Sequence, residues 1–167
     1  MSFDGGQVVF EGLEHVEFQQ IRLLNVSFDN SILYSPRFAD VELTGCSLAN
    51  ASLERLIARR LAFTGCRLLG LNVANGHIQD VIFQQCDLQL SRFRFSTFSN
   101  VVFEECNLAE ANFQGADLSR VRFKKCNLSS VELSQSKLIG TDFRTSTIDE
   151  MRVGPDEVIG AIVDHFQ

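Results

Sequence analysis

The chain has 167 residues, 45 % of them hydrophobic, a formal net charge of −6, no Trp and a single Tyr, Tyr34. A chain of this length is normally one domain with ample apolar content for a core, and its acidic balance argues against direct binding of nucleic acid, which needs a basic stripe. No run of roughly eighteen apolar residues predicts a membrane-spanning helix, and the opening Met1–Gly6 lacks the charged and apolar regions of a secretory signal, so the expectation is a cytoplasmic protein with no membrane association.

The apolar residues recur every five positions. Stepping by fives from Phe3 to Val153, all thirty-one positions are apolar: twelve Phe, thirteen Leu, five Val or Ile, and Ala58. Two residues before each centre lies a second column of small or apolar residues (Ala51, Cys66, Val81, Ala111, Ala116, Val121), and the other three positions are mostly polar. This is neither the 3.6 period of a helix nor an uninterrupted alternation of two, and internal repetition decides a fold before local propensity does. Cys46, Cys66, Cys86, Cys106 and Cys126 are each twenty residues apart. Twenty is four fives, so the chain is predicted to return to the same point after four repeats, one coil of a four-sided solenoid. Residues n and n+20 would then stack at about the 4.8 Å spacing of parallel strands. Phe63, Phe83, Phe103, Phe123 and Phe143 form a second ladder at that spacing, and Leu48, Leu68, Leu88, Leu108 and Leu128 a third.

In chain order, the first coil, residues 1–20, is the least regular and is predicted to fray or to serve as a cap. One corner position then reads Gly5, Asn25, Gly45, Gly65, Gln85, Glu105, Lys125. Gly and Asn accept the positive φ of a type II turn, which predicts type II turns at residues 25, 45 and 65 and another geometry beyond. In Glu54–Leu61, Ala58 replaces a large central residue and Leu56 enters a column of small ones. These are good helix formers, yet register resumes at Phe63 without an insertion. A distorted coil is therefore predicted, with Leu56 filling the space that Ala58 leaves. The repeat is strictest in Val81–Phe83, Cys86–Leu88, Val101–Phe103, Cys106–Leu108, Val121–Phe123 and Cys126–Leu128. After Val153, Gly154–Glu157 predicts a turn opening one helical turn, and Gly160–Val163 falls back into phase with Ala161 and Val163 inward. His165 and Phe166 would close the open end, whose strand edge needs a lid. Residues 154–167 are thus read as a C-terminal cap on one solenoid spanning 1–167.

Five cysteines suit no secreted disulfide framework, which needs an even number, and parallel stacked side chains would have to reorient to reach a disulfide dihedral. Thiolates favour zinc or copper(I), but zinc wants a tetrahedral cluster and these sulfurs would lie in a line. They are read as reduced, inert core thiols, with no metal and no cofactor.

The repeats Cys106–Ala109, Ala109–Phe113 and Gly115–Ser119 resemble those of the pentapeptide-repeat proteins, with the central Leu or Phe and the preceding Ala or Cys both in place. The resemblance covers nearly the whole chain. It implies an all-β fold, a right-handed quadrilateral β-helix with the central and second-preceding side chains inside. At twenty residues per coil this gives about seven to eight coils, a rod roughly 36 Å long. Many relatives continue into a longer helix that builds a dimer; the sequence ends at Gln167 without one, so that helical dimer is not the expectation here, and a homodimer through a coil end stays open.

No phosphate loop, zinc motif or nucleophile elbow is present. His77 stacks between Ile57 and Thr97 with Asp80 at the next corner, His15 lies among Glu11, Glu14 and Glu17, and none of the histidines shares a coil position with a Ser or a reactive Cys. No catalytic residue is assigned and no enzymatic activity is expected. The sequons at Asn25, Asn50 and Asn127 are read as chance matches of a Ser-rich repeat. Sorted by face, the wall carrying the Cys column has Asp29, Asp87, Glu110, Asp149 and Glu150 against Arg67 alone, a net of −4. The resemblance implies one use for such a wall, because better-understood pentapeptide-repeat proteins are acidic rods that mimic duplex DNA in the groove of type II topoisomerases, inhibiting them or protecting them from quinolones. Here the charges are sparse and partly self-paired, with Glu104 predicted under Lys124 and Glu105 under Lys125, and the unbroken register leaves no loop to touch a topoisomerase. The other candidate surface is an outward column, Ala62, Ile82 and Val102 between Glu42 and Arg122, apolar where the repeat does not require it. The expected partner is another protein bound on a flat wall, with DNA mimicry toward a topoisomerase as the second reading.

Overall fold

The computed structural model describes residues 1–164, which carry ten short strands: β1 (Ser2–Asp4), β2 (Glu11–Glu14), β3 (Glu17–Leu24), β4 (Ile32–Tyr34), β5 (Arg37–Thr44), β6 (Ser52–Glu54), β7 (Ile57–Thr64), β8 (His77–Gln84), β9 (Thr97–Glu104) and β10 (Arg122–Lys124). Strands β1-β3-β5-β7-β8-β9-β10 form one sheet and β2-β4-β6 another. Every pairing is parallel, and Phe3, Leu23, Leu43, Phe63, Phe83, Phe103 and Phe123 are successive partners, a step of twenty at each rung. Single bridges carry the same step along the remaining walls, as in Ser27↔Ser47↔Arg67↔Asp87↔Asn107↔Asn127 and Ser52↔Asn72↔Arg92↔Asn112↔Glu132. The protein is an all-β, parallel-strand solenoid. Six strand-to-strand steps separate β1 from β10, slightly fewer turns than the seven to eight coils expected, because beyond β10 the ladder runs through single bridges, Arg122↔Asp142 and Asp142↔Ile162.

Each eight-residue strand bends at its fourth residue, and the bend belongs to a general rule. Every fifth residue from His15 to Glu150 has positive φ. The predicted change of turn geometry is therefore corrected: Gln85, Glu105 and Lys125 have φ of 54°, 54° and 51°, beside 53° at Asn25. The amides of Asn25, Gln85 and Glu105 each donate at 2.9 Å to the next coil, to the carbonyls of Thr44, Glu104 and Lys124. A left-handed conformation costs a side-chain-bearing residue about 1–2 kcal/mol, and inter-coil hydrogen bonding over-determines it here.

The stretch Glu54–Leu61 is likewise undistorted, since β7 pairs residue for residue with both neighbours and Ala58 sits between Phe38 and Ile78. Both Leu56 and Ala58 are buried. The ladder holds the backbone there, and only side-chain volume varies.

At the start of the chain, β1 and β2 are paired to the next coil, so the first coil does not fray. Its inward residues Phe3, Val8 and Leu13 remain 48 %, 40 % and 47 % exposed because no coil covers them. The register shifts once, between Glu11 and Leu13, where Gly12 takes φ of 74°. At the other end, residues 155–160 make turns with one helical-type bond, from the Val158 amide to the Gly154 carbonyl at 3.4 Å, and no helix forms. Ile162 then bridges Asp142 and Ala161 packs against the core, while Val163 is exposed. The predicted lid residues His165 and Phe166 lie outside the described residues.

The core is built of stacked columns. Phe63, Phe83, Phe103, Phe123 and Phe143 stack with centroids 4.8, 4.7, 5.1 and 5.3 Å apart, and their planes lie within 7° of parallel or less except for 9° between Phe103 and Phe123. A second stack, Phe93 and Phe113, meets Phe103 edge to face at 6.4 and 6.3 Å. Burying each such ring contributes about 1.5–3 kcal/mol. All five cysteines are free and buried. Each thiol donates to the carbonyl oxygen twenty-three residues earlier: Cys46 to Leu23, Cys66 to Leu43, Cys86 to Phe63, Cys106 to Phe83 and Cys126 to Phe103, at 3.3–3.5 Å. Ser146 ends the column and repeats the bond to Phe123 at 2.9 Å. The neighbouring thiols and burial push Cys46, Cys86 and Cys126 well above the ordinary thiol range.

Cys86→Ala should therefore cost on the order of 1 kcal/mol through a small cavity and a lost donor, and Cys86→Ser, which keeps the donor, should cost less. Denaturant melts of the two variants read the difference. Titration of the native protein with a thiol reagent should label no more than one cysteine rapidly.

Candidate functional site

The long sheet places the apolar column as read from the sequence: Glu42, Ala62, Ile82, Val102 and Arg122 are consecutive partners on β5, β7, β8, β9 and β10. Ala62, Ile82 and Val102 are half-buried, which leaves their outer surfaces facing solvent on a flat wall. One column across lie Thr64, Gln84 and Glu104, so the strip is bordered by two uncharged polar groups and, beside Val102, by a carboxylate.

The five carboxylates of the Cys-bearing wall also share one side, but they are not equally available. Asp29 accepts a short hydrogen bond from Ser47 Oγ and another from the Ala49 amide at 2.8 Å, and Asp87 accepts from the Gln89 amide at 3.3 Å. Glu110, Asp149 and Glu150 are exposed, with Glu150 receiving Ser130 Oγ at 3.1 Å. Elsewhere charge is neutralised vertically, one coil to the next: Arg22–Glu42 at 2.9 Å, Arg37–Glu17 at 3.4 Å, Arg60–Asp40 at 2.6 Å, Lys125–Glu105 at 3.6 Å and Lys137–Asp117 at 3.4 Å. Glu104 pairs in register with Lys124 as expected, while its carboxylate takes the Gln84 amide at 3.5 Å. Such exposed pairs contribute about 0–1 kcal/mol each; their main effect is to flatten the surface potential.

His77 meets Thr97 Oγ1 through Nδ1 at 2.8 Å on the exposed wall, between Ile57 and Thr97 as read. It lies in a broad open depression of about 970 Å³ whose lining includes Arg59, Asn100, Arg120 and Ile139. Neither a thiol nor a second histidine lines it. Two exposed side chains were missed by sequence reasoning: Leu90 (51 % exposed) and Phe95 (50 % exposed) stand at consecutive corners. The signal was present, because both are large apolar residues at positions where the five-residue phrase puts a turn.

Residues 36–113 and 96–154 match the family model described as pentapeptide repeat region. The chain belongs to the pentapeptide-repeat family. Members of this family are generally structural or interaction proteins. Among solved structures the chain is similar to two trypsin-treated variants of QnrB1, described as a plasmid-mediated fluoroquinolone resistance protein. One is 17 % identical over 97 % of this chain and 94 % of that chain with a TM-score of 0.57. The other is 12 % identical over 100 % and 92 % with a TM-score of 0.56. A third, the pentapeptide-repeat protein Rfr23 from the cyanobacterium Cyanothece 51142, is 15 % identical over 74 % of this chain and 91 % of that chain, with a TM-score of 0.46. No curated protein matches the chain in sequence. At these identities the likeness is one of fold.

Several carboxylates of the pentapeptide-repeat walls titrate low. Arg60 holds Asp40, Arg144 holds Asp142 and Ser134 holds Glu132 below their ordinary ranges. A depressed carboxylate stabilises the fold above its unfolded pKa and loses that contribution as pH falls through the folded value. The melting temperature should hold level from pH 7 to about 5 and fall below about 4, and Asp142→Asn should flatten that acid slope in the same thermal scans.

Proposed function

We propose that the protein is a non-enzymatic, cytoplasmic interaction module whose flat walls bind another protein. The observation that carries this reading is the apolar column Ala62, Ile82 and Val102, in register on solvent-facing positions of a flat parallel sheet. The solenoid demands apolar side chains only at its inward positions, and contiguous exposed apolar surface in a soluble protein marks a contact site. A flat sheet face offers area without a cleft, which suits a protein surface better than a small molecule.

A second reading, an acidic DNA mimic acting on a type II topoisomerase, is favoured by the wall bearing Asp29, Asp87, Glu110, Asp149 and Glu150. The likeness of fold to QnrB1, which its description links to fluoroquinolone resistance, supports keeping it. Against it stand Asp29 and Asp87, which spend oxygens on their own wall, and the vertical ion pairs.

A gyrase supercoiling assay with and without a quinolone, at two salt concentrations, separates the two. The interaction-module reading expects no effect at high protein excess. In parallel, affinity capture with wild-type and Ile82→Ser baits should recover a protein that the variant loses. Salt-sensitive inhibition or protection, abolished by Asp87→Asn with Glu110→Gln but not by Ile82→Ser, would replace this reading with mimicry, because attraction of an acidic rod to a basic groove weakens as salt screens it.

A further inference from the structure

We propose that the side of the coil from Leu90 to Phe95 is a docking surface for an acidic protein segment. This rests on the interaction-module reading and adds a second surface to it, on a wall away from Ile82. Of the corners from His15 to Glu150, all with positive φ, only Leu90 and Phe95 carry a large apolar side chain. Equivalent corners one coil away are Gly70 and Glu110 for Leu90, and Asn75 and Gly115 for Phe95. The register does not require apolar groups there, the left-handed backbone disfavours them, and both are half out in solvent. Between them lies Ser91, fully buried, whose hydroxyl has no hydrogen-bond partner among the described residues. Three departures from local preference thus fall on one side of one coil, and such departures concentrate at functional surfaces.

The same side presents two arginines. Arg92 and Arg94 are exposed and make no ion pair among the described residues. Arg92 is bridged to Asn72 and Asn112, and Arg94 has Ala74 and Gln114 one coil away, so no carboxylate stacks directly on either, and Glu110 at the corner beside Leu90 is the acidic residue at the edge of this side. The nearest acidic residues in their columns, Glu54 and Glu132, are two coils off, roughly 10 Å along the axis, beyond the Debye length of about 8 Å at physiological salt. Across the Leu90 corner, Asp87 directs a carboxylate oxygen to the Gln89 amide. The Arg94 guanidinium lies over the Phe95 ring at 5.3 Å, and Gly115 seats that ring, since a Cβ at Gly115 would stand 2.5 Å from Phe95 Cδ1. The pair is therefore held in place before any partner arrives.

Arginine and an exposed aromatic are the side chains that dominate protein interfaces. Two unpaired guanidinium forks take carboxylates in bidentate fashion. Arg92 lies on a single bridge and Arg94 opens the turn at Phe95, two residues apart, on the order of the 6.6 Å that separates carboxylates at alternate positions of an extended segment. Leu90 and Phe95 then meet apolar side chains on either side. A long polyanion fits less well, because the adjoining wall carries Asp87 and Glu110 and the protein as a whole is at −6.

Selection of a phage-displayed random dodecapeptide library on the full chain tests this. Enriched peptides should carry at least two Asp or Glu beside Leu, Phe or Trp. Synthetic copies should lose at least tenfold in affinity with Arg92→Ala plus Arg94→Ala and with Phe95→Asn, and none with Ile82→Ser. Asn accepts the left-handed corner, so Phe95→Asn should melt no lower than the wild type, and the arginine pair gives a second variant that leaves the corners intact. Absence of enrichment, enrichment of non-acidic peptides, or acidic peptides that ignore both changes would overturn the proposal. Peptides lost only with Ile82→Ser would overturn it while upholding the interaction-module reading. A labelled single-stranded 20-mer oligonucleotide that binds through Arg92 and Arg94 would overturn it in favour of nucleic acid.

Discussion

Hydrogen bonding between successive coils is the constraint on which the rest of the molecule depends. Each wall both donates to and accepts from the next coil, as where the Leu48 amide donates to the Arg67 carbonyl and the Arg67 amide donates back to that of Cys46, at 2.8 and 2.9 Å. Once this ladder is closed on every side, residue n has no choice but to lie beside residue n+20. The core columns, the vertical ion pairs and the left-handed corners are consequences of that one relation. It also explains why side chains of such different size share a column: Phe38, Ala58 and Ile78 are successive partners without any disturbance of the strand.

The five-residue phrase and the twenty-residue columns were legible because they are written in side-chain chemistry, large apolar groups at one phase and thiols at another. The corners were less legible. Reading Gly and Asn as turn formers is a local argument, and at Gln85, Glu105 and Lys125 the tertiary ladder overrides local preference. The same override keeps Glu54–Leu61 a regular piece of coil, a corner at Arg55 followed by the start of β7. At the first coil, irregular composition suggested loss of structure, whereas the backbone pairs and only the cover is missing. On the surface, the column through Ile82 could be found by counting, but the capture of Asp29 by Ser47 and Ala49 could not, because it depends on side-chain directions one coil away. Leu90 and Phe95 were overlooked for a simpler reason. Both lie out of the inward phase that the repeat makes conspicuous, and a large apolar residue out of phase is a signal of its own.

Outward positions divide into those used by the solenoid and those left over. Asp117, Glu132 and Asp142 fold back on the amides two residues ahead, and Asn72, Asn107, Asn112 and Asn127 do the same. A polar side chain at this phase therefore braces its own turn and contributes little to recognition. Ala62, Ile82, Val102, Arg92 and Arg94 have no such task within the coil, which is why a functional reading of the walls comes to rest on them.

The twenty-residue step also determines which changes in chain length the architecture can absorb. Insertion of one residue between two corners would carry every later side chain out of phase, turning core positions toward water, unless a kink such as the one at Gly12 takes up the slack. A whole coil, by contrast, is a self-contained unit: duplicated or excised, it leaves each column continuous and each wall flat, changing only the length of the rod. Length and surface pattern can thus vary separately. A lineage could lengthen or shorten the platform in single coils while keeping its recognition residues on the same side, much as storeys are added to a building without moving its windows to another façade.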